Sequence, residues 1–123
     1  MPYTIHYLQD EGIVLITNNG ELTYEDFVKQ AQETLEIGRI NKCRLFLADC
    51  TSMISRVGTM EIFDTPAVYK NLEAPRTNKV ALIISEDKDT NEDIGFYETV
   101  CVNRGWPVRV FNDKKAAMKW LRK

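Results

Sequence analysis

Leu45-Phe46-Leu47-Ala48, closed by Asp49, is an uninterrupted apolar run of strand length, and its reading decides the fold. Side chains on a strand alternate between two faces, so a run without a polar position needs cover on both sides. Strands of that kind belong to sheets with helices packed against them. The pattern returns in Lys79-Val80-Ala81-Leu82-Ile83-Ile84. It returns once more, shorter and less apolar, in Val108-Arg109-Val110-Phe111, introduced by Gly105-Trp106-Pro107 and closed by Asn112-Asp113.

Upstream of these runs, Tyr3, Ile5 and Tyr7 alternate with Thr4 and His6, and a second apolar run covers 13–17 after Asp10-Glu11-Gly12, which predicts a β-hairpin. Asn18-Asn19-Gly20 is turn chemistry. Thr23 is placed to cap a helix over 24–37, with Glu25 and Asp26 in its first turn and Gly38 as its stop. Phe27, Ala31 and Leu35, with Val28 or Gln32, share one face of that helix. Further on, Thr65 reads as the cap of a helix with Pro66 at its first position and Val68, Tyr69 and Leu72 following. Pro66 argues against one unbroken helix through Asp64, and 53–64 reads as neither helix nor loop with certainty. A helix over 91–104 aligns Ile94, Tyr97, Val100 and Cys101, and a last one from 113 buries Ala117, Trp120 and Leu121. The order is β-β-α-β-α-β-α-β-α. It predicts an α/β fold, a mostly parallel sheet with four helices and an antiparallel N-terminal hairpin at its edge.

A length of 123 residues with 44% hydrophobic content suits a single domain over 1–123. Sixteen basic residues against eighteen acidic ones, a net charge of −2, give no field for capturing nucleic acid. The N-terminus lacks a basic leader and no stretch is long enough to span a bilayer, so a cytoplasmic location is expected. Cys43, Cys50 and Cys101 show no paired spacing, which predicts buried reduced thiols without disulfide or metal. The single histidine, His6, is far along the chain from Cys50, Ser52 and Ser55 and is expected to face solvent or a hydrogen-bond partner. No dinucleotide, phosphate-loop or zinc-protease motif is present, so no catalytic residue, cofactor or metal is expected.

Ligands of open α/β sheets bind beyond the carboxyl ends of the strands, which points to loops 17–23, 49–58, 85–90 and 112–114. The second is richest in chemistry. Asp49, Cys50, Thr51, Ser52, Ser55 and Arg56 either satisfy turn and cap groups, or hold a small anion or polar ligand with Arg56 and backbone amides. Asp49 with Glu86, Asp87, Asp89 and Asp113 is arranged like the acidic pocket of a phosphoacceptor receiver domain. Thr17-Asn18-Asn19 stands where that pocket needs adjacent acids, and Phe111-Asn112 where it needs a lysine before proline, which excludes the function. Met53, Ile54, Val57, Met60, Ile62 and Phe63 are more apolar than a loop requires and can line a pocket or a partner interface. The basic C-terminal segment complements a helix dipole, with Trp120 and Leu121 as core anchors, and Trp106 reads as a packing residue after a helix stop at Gly105.

Gly20-Glu21-Leu22-Thr23 after a hairpin, Leu45 to Asp49, Lys79 to Ser85, and Val108-Arg109-Val110-Phe111 followed by Ala116-Ala117-Met118-Lys119-Trp120-Leu121-Arg122 together resemble the SpoIIAA-like branch of the STAS domains. These are sulfate-transporter and anti-sigma-factor-antagonist modules. The resemblance implies a non-enzymatic fold used for protein contacts or small-ligand sensing. The best-understood STAS members are switched by phosphorylation of a serine in a Met-Asp-Ser-Ser-Gly motif at the start of the second helix. The match here is Ile54-Ser55-Arg56-Val57-Gly58, with Val57 where the accepting serine would be, which leaves Ser55 or Thr59 as shifted candidates. The expected site is therefore Asp49, Ser52, Ser55, Arg56, Val57, Met60 and Phe63. Its leading role is contact with an unknown protein partner in a regulatory module, with homodimerisation through edge strands or the second helix. A carrier of a small apolar or acyl ligand, with Arg56 at its polar head, is the alternative. A thiol enzyme using Cys50 is the third.

Overall fold

The computed structural model describes residues 2–123. Its centre is one sheet of five strands in the order β1-β2-β3-β4-β5: Tyr3–Leu8, Ile13–Leu22, Leu45–Ser55, Lys79–Ile83 and Val108–Phe111. β1 is antiparallel to β2 at one edge, and every other pair is parallel. Register sets the two faces. Val14, Phe46, Val80 and Val108 form one row across the sheet, and Ile16, Ala48, Leu82 and Val110 form the next on the same side. Leu15, Leu47, Ala81 and Arg109 form the intervening row, which points the other way.

Strands laid down in sequence order by right-handed crossovers carry their connecting helices to the same side of the sheet. Helices α1 (Tyr24–Ile40), α2 (Thr59–Phe63), α3 (Thr65–Asn71) and α4 (Lys88–Asn103) accordingly share the Phe46 side. They supply Phe27, Ile62, Tyr69, Ile94 and Tyr97 to its core. Only α5 (Lys114–Leu121) covers the opposite side, where Ala117, Met118 and Leu121 pack on Ile13, Leu47 and Ala81. The helix starts follow ordinary capping chemistry. Thr23 and Asp26 form a reciprocal box at α1, Asp87 accepts from Thr90 N at α4, and Asp113 accepts from Ala116 N at α5. Asp87 starts α4 three residues ahead of the predicted 91, where Asn91 instead exchanges hydrogen bonds with the Ser85 backbone.

Several local expectations are corrected. Asn18-Asn19-Gly20 is not a turn: β2 continues to Leu22, with a bulge where Thr17 and Asn19 oppose Asp49 and Ser52. The extra residue lies on β3, and Gly20 at φ +92° takes a conformation that glycine accepts readily. Ladder hydrogen bonds to a long neighbouring strand outweigh local turn propensity here. Second, β3 does not stop at Asp49 but runs to Ser55, so most of the expected loop is strand. Third, five helices form instead of four, because the second helical segment breaks at Asp64, just before Pro66. Thr65 is not its cap; the hydroxyl is buried and donates to the Ile62 carbonyl at 2.7 Å.

Gly38 is likewise not a stop. α1 passes through it to Ile40, and a Cβ built there would lie 2.7 Å from Cζ of Phe46. The absent side chain lets α1 settle on the buried Phe46 ring. Gly38→Ala sets a helix-propensity gain of about 1 kcal/mol against overpacking of about 1–3 kcal/mol. The same Cβ would lie 3.1 Å from the Cys43 carbonyl oxygen, which is backbone and cannot swing aside as a ring can, so the clash prevails: the urea midpoint is expected to fall by an amount equivalent to about 1–2 kcal/mol with an unchanged slope. A midpoint above that of the parent protein would show that the ring yields.

Candidate functional site

The carboxyl end of β3 is tied to the start of α4 by hydroxyl groups. Ser55 N donates to Thr90 Oγ1 at 2.9 Å, and Thr90 Oγ1 donates to Asp87 Oδ2 at 2.7 Å. Ser85 Oγ donates to the Met53 carbonyl at 2.8 Å and accepts from Asp87 N. The bonds from the Thr90 side chain and backbone hold the Asp87 carboxyl below the usual carboxylate range, with a smaller contribution from Arg56. These groups satisfy one another, and loop 85–90 works as a clasp.

The seven expected site residues divide into separate environments. Asp49 is in mid-strand, where its Oδ1 accepts from Thr51 N and Thr51 Oγ1, at 3.0 and 2.6 Å, the local turn-type role that a short carboxylate takes up readily. Ser52 is exposed one bulge further on, and Ser55 Oγ accepts from Val57 N at 3.3 Å. Arg56 lies on the surface with its Nε 2.7 Å from Glu21 Oε1, both side chains more than half exposed. Its guanidinium does not line the interior cavity. Val57 turns inward against the core. Met60 and Phe63 turn outward on α2, 71% and 45% exposed, and the Arg104 guanidinium sits 4.4 Å from the centre of the Phe63 ring. The structure thus joins Met60 and Phe63 on one helix and sets Asp49 and Ser52 apart from them.

An apolar cavity of about 120 Å³ lies between the sheet and the helical layer. Its walls include Ile16, Ala48, Met53, Val57, Ile62 and Tyr69. Of the six apolar residues singled out from 53–63, Met53, Val57 and Ile62 reach it, while Met60 and Phe63 form the exposed face. Sequence reasoning missed its polar wall. Gln30 donates to Asn18 at 2.7 Å, and Asn18 donates to Cys50 Sγ at 3.7 Å. The Thr34 hydroxyl, also in the wall, is buried without a hydrogen-bond partner among the described residues. Asn18 read as a turn residue and Thr34 drew no reading of its own, since no local signal marks either as facing a cavity. Among the described residues no three His, Cys, Asp or Glu side chains gather as a metal would require, and no helix is long and apolar enough to cross a membrane.

No family model and no curated protein matches the sequence. Solved structures do match the fold. An anti-sigma factor antagonist from Mycobacterium paratuberculosis superposes with a TM-score of 0.62 at 11% identity, over 98% of this chain and 93% of that one. An uncharacterised DUF3478-family protein with a SpoIIAA-like fold from Shewanella loihica PV-4 gives 0.58 at 17% identity, over 97% and 91%. The anti-sigma factor antagonist SpoIIAA in its unphosphorylated form gives 0.56 at 12% identity, over 98% and 97%. The chain has the SpoIIAA-like fold. Identity this low carries the fold and leaves function to the site.

The thiol chemistry considered for Cys50 has no support in its surroundings. Burial pushes the Cys50 thiol up to about 12, against a smaller lowering by Asn18, and burial pushes Cys101 up to about 11. Cys43 is buried as well. Iodoacetamide at neutral pH is expected to label none of the three cysteines in the native protein and all three after unfolding. Selective rapid labelling of Cys50 would restore the thiol-enzyme reading. The same shifts set a pH dependence. The folded thiols titrate above their ordinary value of 9.0, so their stabilisation is complete below that pH and is lost as pH rises through about 11 and 12. Thermal unfolding monitored from pH 8 to 12 should therefore show a falling midpoint above pH 9, less steep in Cys50→Ala.

Proposed function

We propose that residues 1–123 act as one non-enzymatic, cytoplasmic regulatory module that works by protein contact through the exposed face of α2. The observation that carries this reading is the orientation of α2. Of its apolar side chains only Ile62 is buried, while Met60 and Phe63 project outward. Exposed apolar side chains grouped on one short element are the usual centre of a contact surface, and Met and aromatic residues are enriched there. Val102 on α4 is also exposed, and α4 packs beside α2. Two of the structures sharing the fold are named anti-sigma factor antagonists, which supports the same class of role.

Control of this contact does not use the serine of the family motif. Val57 occupies that position, has no hydroxyl, and packs its side chain against the core. Ser55 Oγ accepts from Val57 N and Arg56 pairs with Glu21, while Asp49 and Ser52 stand apart from α2 on β3, so these groups form no phosphate pocket. A second copy of the chain is one partner of the right chemistry.

A second reading rests on the cavity. An apolar void of about 120 Å³ is comparable with the cavity of about 150 Å³ known to stay dry and bind benzene, and is smaller than the roughly 300–1,000 Å³ typical of small-molecule sites. As a carrier the protein would hold only a small apolar body there. Arg56, paired with Glu21 on the surface, is not its head-group anchor.

A photo-crosslinking amino acid placed at Met60 in producing cells tests the contact reading. One discrete protein adduct, the chain itself included, is expected from Met60 and not from the same probe at Lys115 on α5, and Phe63→Asp should abolish it. Equal adduct patterns at both positions would overturn the proposal.

A further inference from the structure

At the end of the helical layer away from the Ser55–Thr90 clasp, a groove of about 430 Å³ opens between the end of α1 and the exit of α3. Its apolar floor is formed by Leu35, Phe46, Ala74 and Pro75, and its rim carries Arg39, Lys42 and Arg44 against one acid, Glu73. With Glu36 paired to Arg39, three cations face two acids, a local surplus of one positive charge over an apolar floor in a chain of net charge −2. The groove adjoins the interior cavity. Leu35, Phe46, Ala74 and Asn78 line both, so these side chains form the partition between them.

Two further observations point at the same place. Lys42 and Glu73, at φ +52° and +57°, are the two non-glycine residues with left-handed backbone among the described residues, and both lie on the groove rim. Glycine would take such positions after a helix at lower cost; here charged side chains stand there instead. Asn78 is buried in the partition, and the unpartnered Thr34 hydroxyl lies in the wall of the cavity beyond it. The rim cations are free to act. Arg39 has only an exposed contact with Glu36, and Arg44 bonds the Thr77 hydroxyl; exposed contacts of this kind contribute little and exchange readily.

The geometry points to this groove as the head-group site for a small amphipathic carboxylate, an acyl or aryl acid, with its charge on Arg39, Lys42 and Arg44 and its apolar body directed past Phe46 and Asn78 toward the cavity. Guanidinium forks match a carboxylate in two parallel hydrogen bonds, which favours this head group over a neutral one. Entry is thus at the end opposite to Arg56. The inference rests on the carrier reading of the cavity and adds to it the ligand class and the mouth.

Octanoate and its neutral counterpart octanol, titrated into the full chain at up to millimolar concentration with amide chemical shifts as readout, separate the possibilities. Octanoate is expected to bind more tightly than octanol and to shift amides around Arg39, Arg44 and Asn78. The double variant Arg39→Ala with Arg44→Ala removes exposed side chains. It should weaken octanoate by about tenfold and leave octanol unchanged, whereas Arg56→Ala should alter neither. If both probes bind equally and the double variant changes nothing, the cavity accepts ligands but the basic groove is not their head-group site, and the inference fails alone. Absence of any shift with either probe overturns the inference and the carrier reading together.

Discussion

The structure depends on β3 being bonded along both edges and covered on both faces. β2 pairs with it along nearly its whole length and β4 pairs with its first half, while Phe46 and Ala48 face the helical layer and Leu47 faces α5. Its first part, 46–48, has no solvent face and so no freedom of register, because a one-residue slip would exchange the Phe46 and Leu47 environments. The remaining elements are located relative to it. The parallel crossovers set α1, α3 and α4 on one side, and the aromatic groups Phe27, Tyr69, Tyr97 and Trp106 close over that side in successive edge-to-face or tilted contacts.

The same strand explains why the functional surfaces are where they are. Because β3 continues past Asp49 to Ser55, the chain leaves the sheet late and has only Arg56, Val57 and Gly58 before α2 begins. The interruption at Asp64 separates two short helices. α2 contributes one buried residue and shows two apolar side chains to solvent, while α3 lies over the sheet between α1 and α4. Short helices cannot fill a layer as completely as the long α1 and α4 do, and the apolar cavity lies in the layer they share. The exposed face and the interior space thus come from one structural event, the break in the second helical segment.

This arrangement separates three chemistries that the sequence placed together. Polar groups at the rim of β3 are consumed in the clasp with α4, apolar groups on α2 face outward, and the basic groove lies at the other end of α1. A protein contact at α2 and a ligand mouth near Arg44 need not compete for the same side chains. The SpoIIAA-like fold is compatible with both, since a fold fixes where loops and helix ends gather and not what they bind.

The α/β class, the parallel strands around Phe46, Leu82 and Val110, the edge hairpin and the main helix faces were determined by the sequence alone, since each rests on a periodicity or run that only one element type satisfies. Val57 in place of a serine was legible for the same reason: it is a fact about one side chain. Where Asp49, Arg56 and Gly38 stand was decided by tertiary structure. Asp49 became mid-strand when a neighbour offered β3 further ladder bonds, Arg56 pairs with Glu21 on the adjoining β2, 35 positions away along the chain, and Gly38 was kept within a helix by close approach to Phe46. The cavity, its polar wall and the basic groove likewise exist only between elements. Local sequence sets what a residue can do, but partners remote along the chain decide which of those possibilities has the lowest free energy.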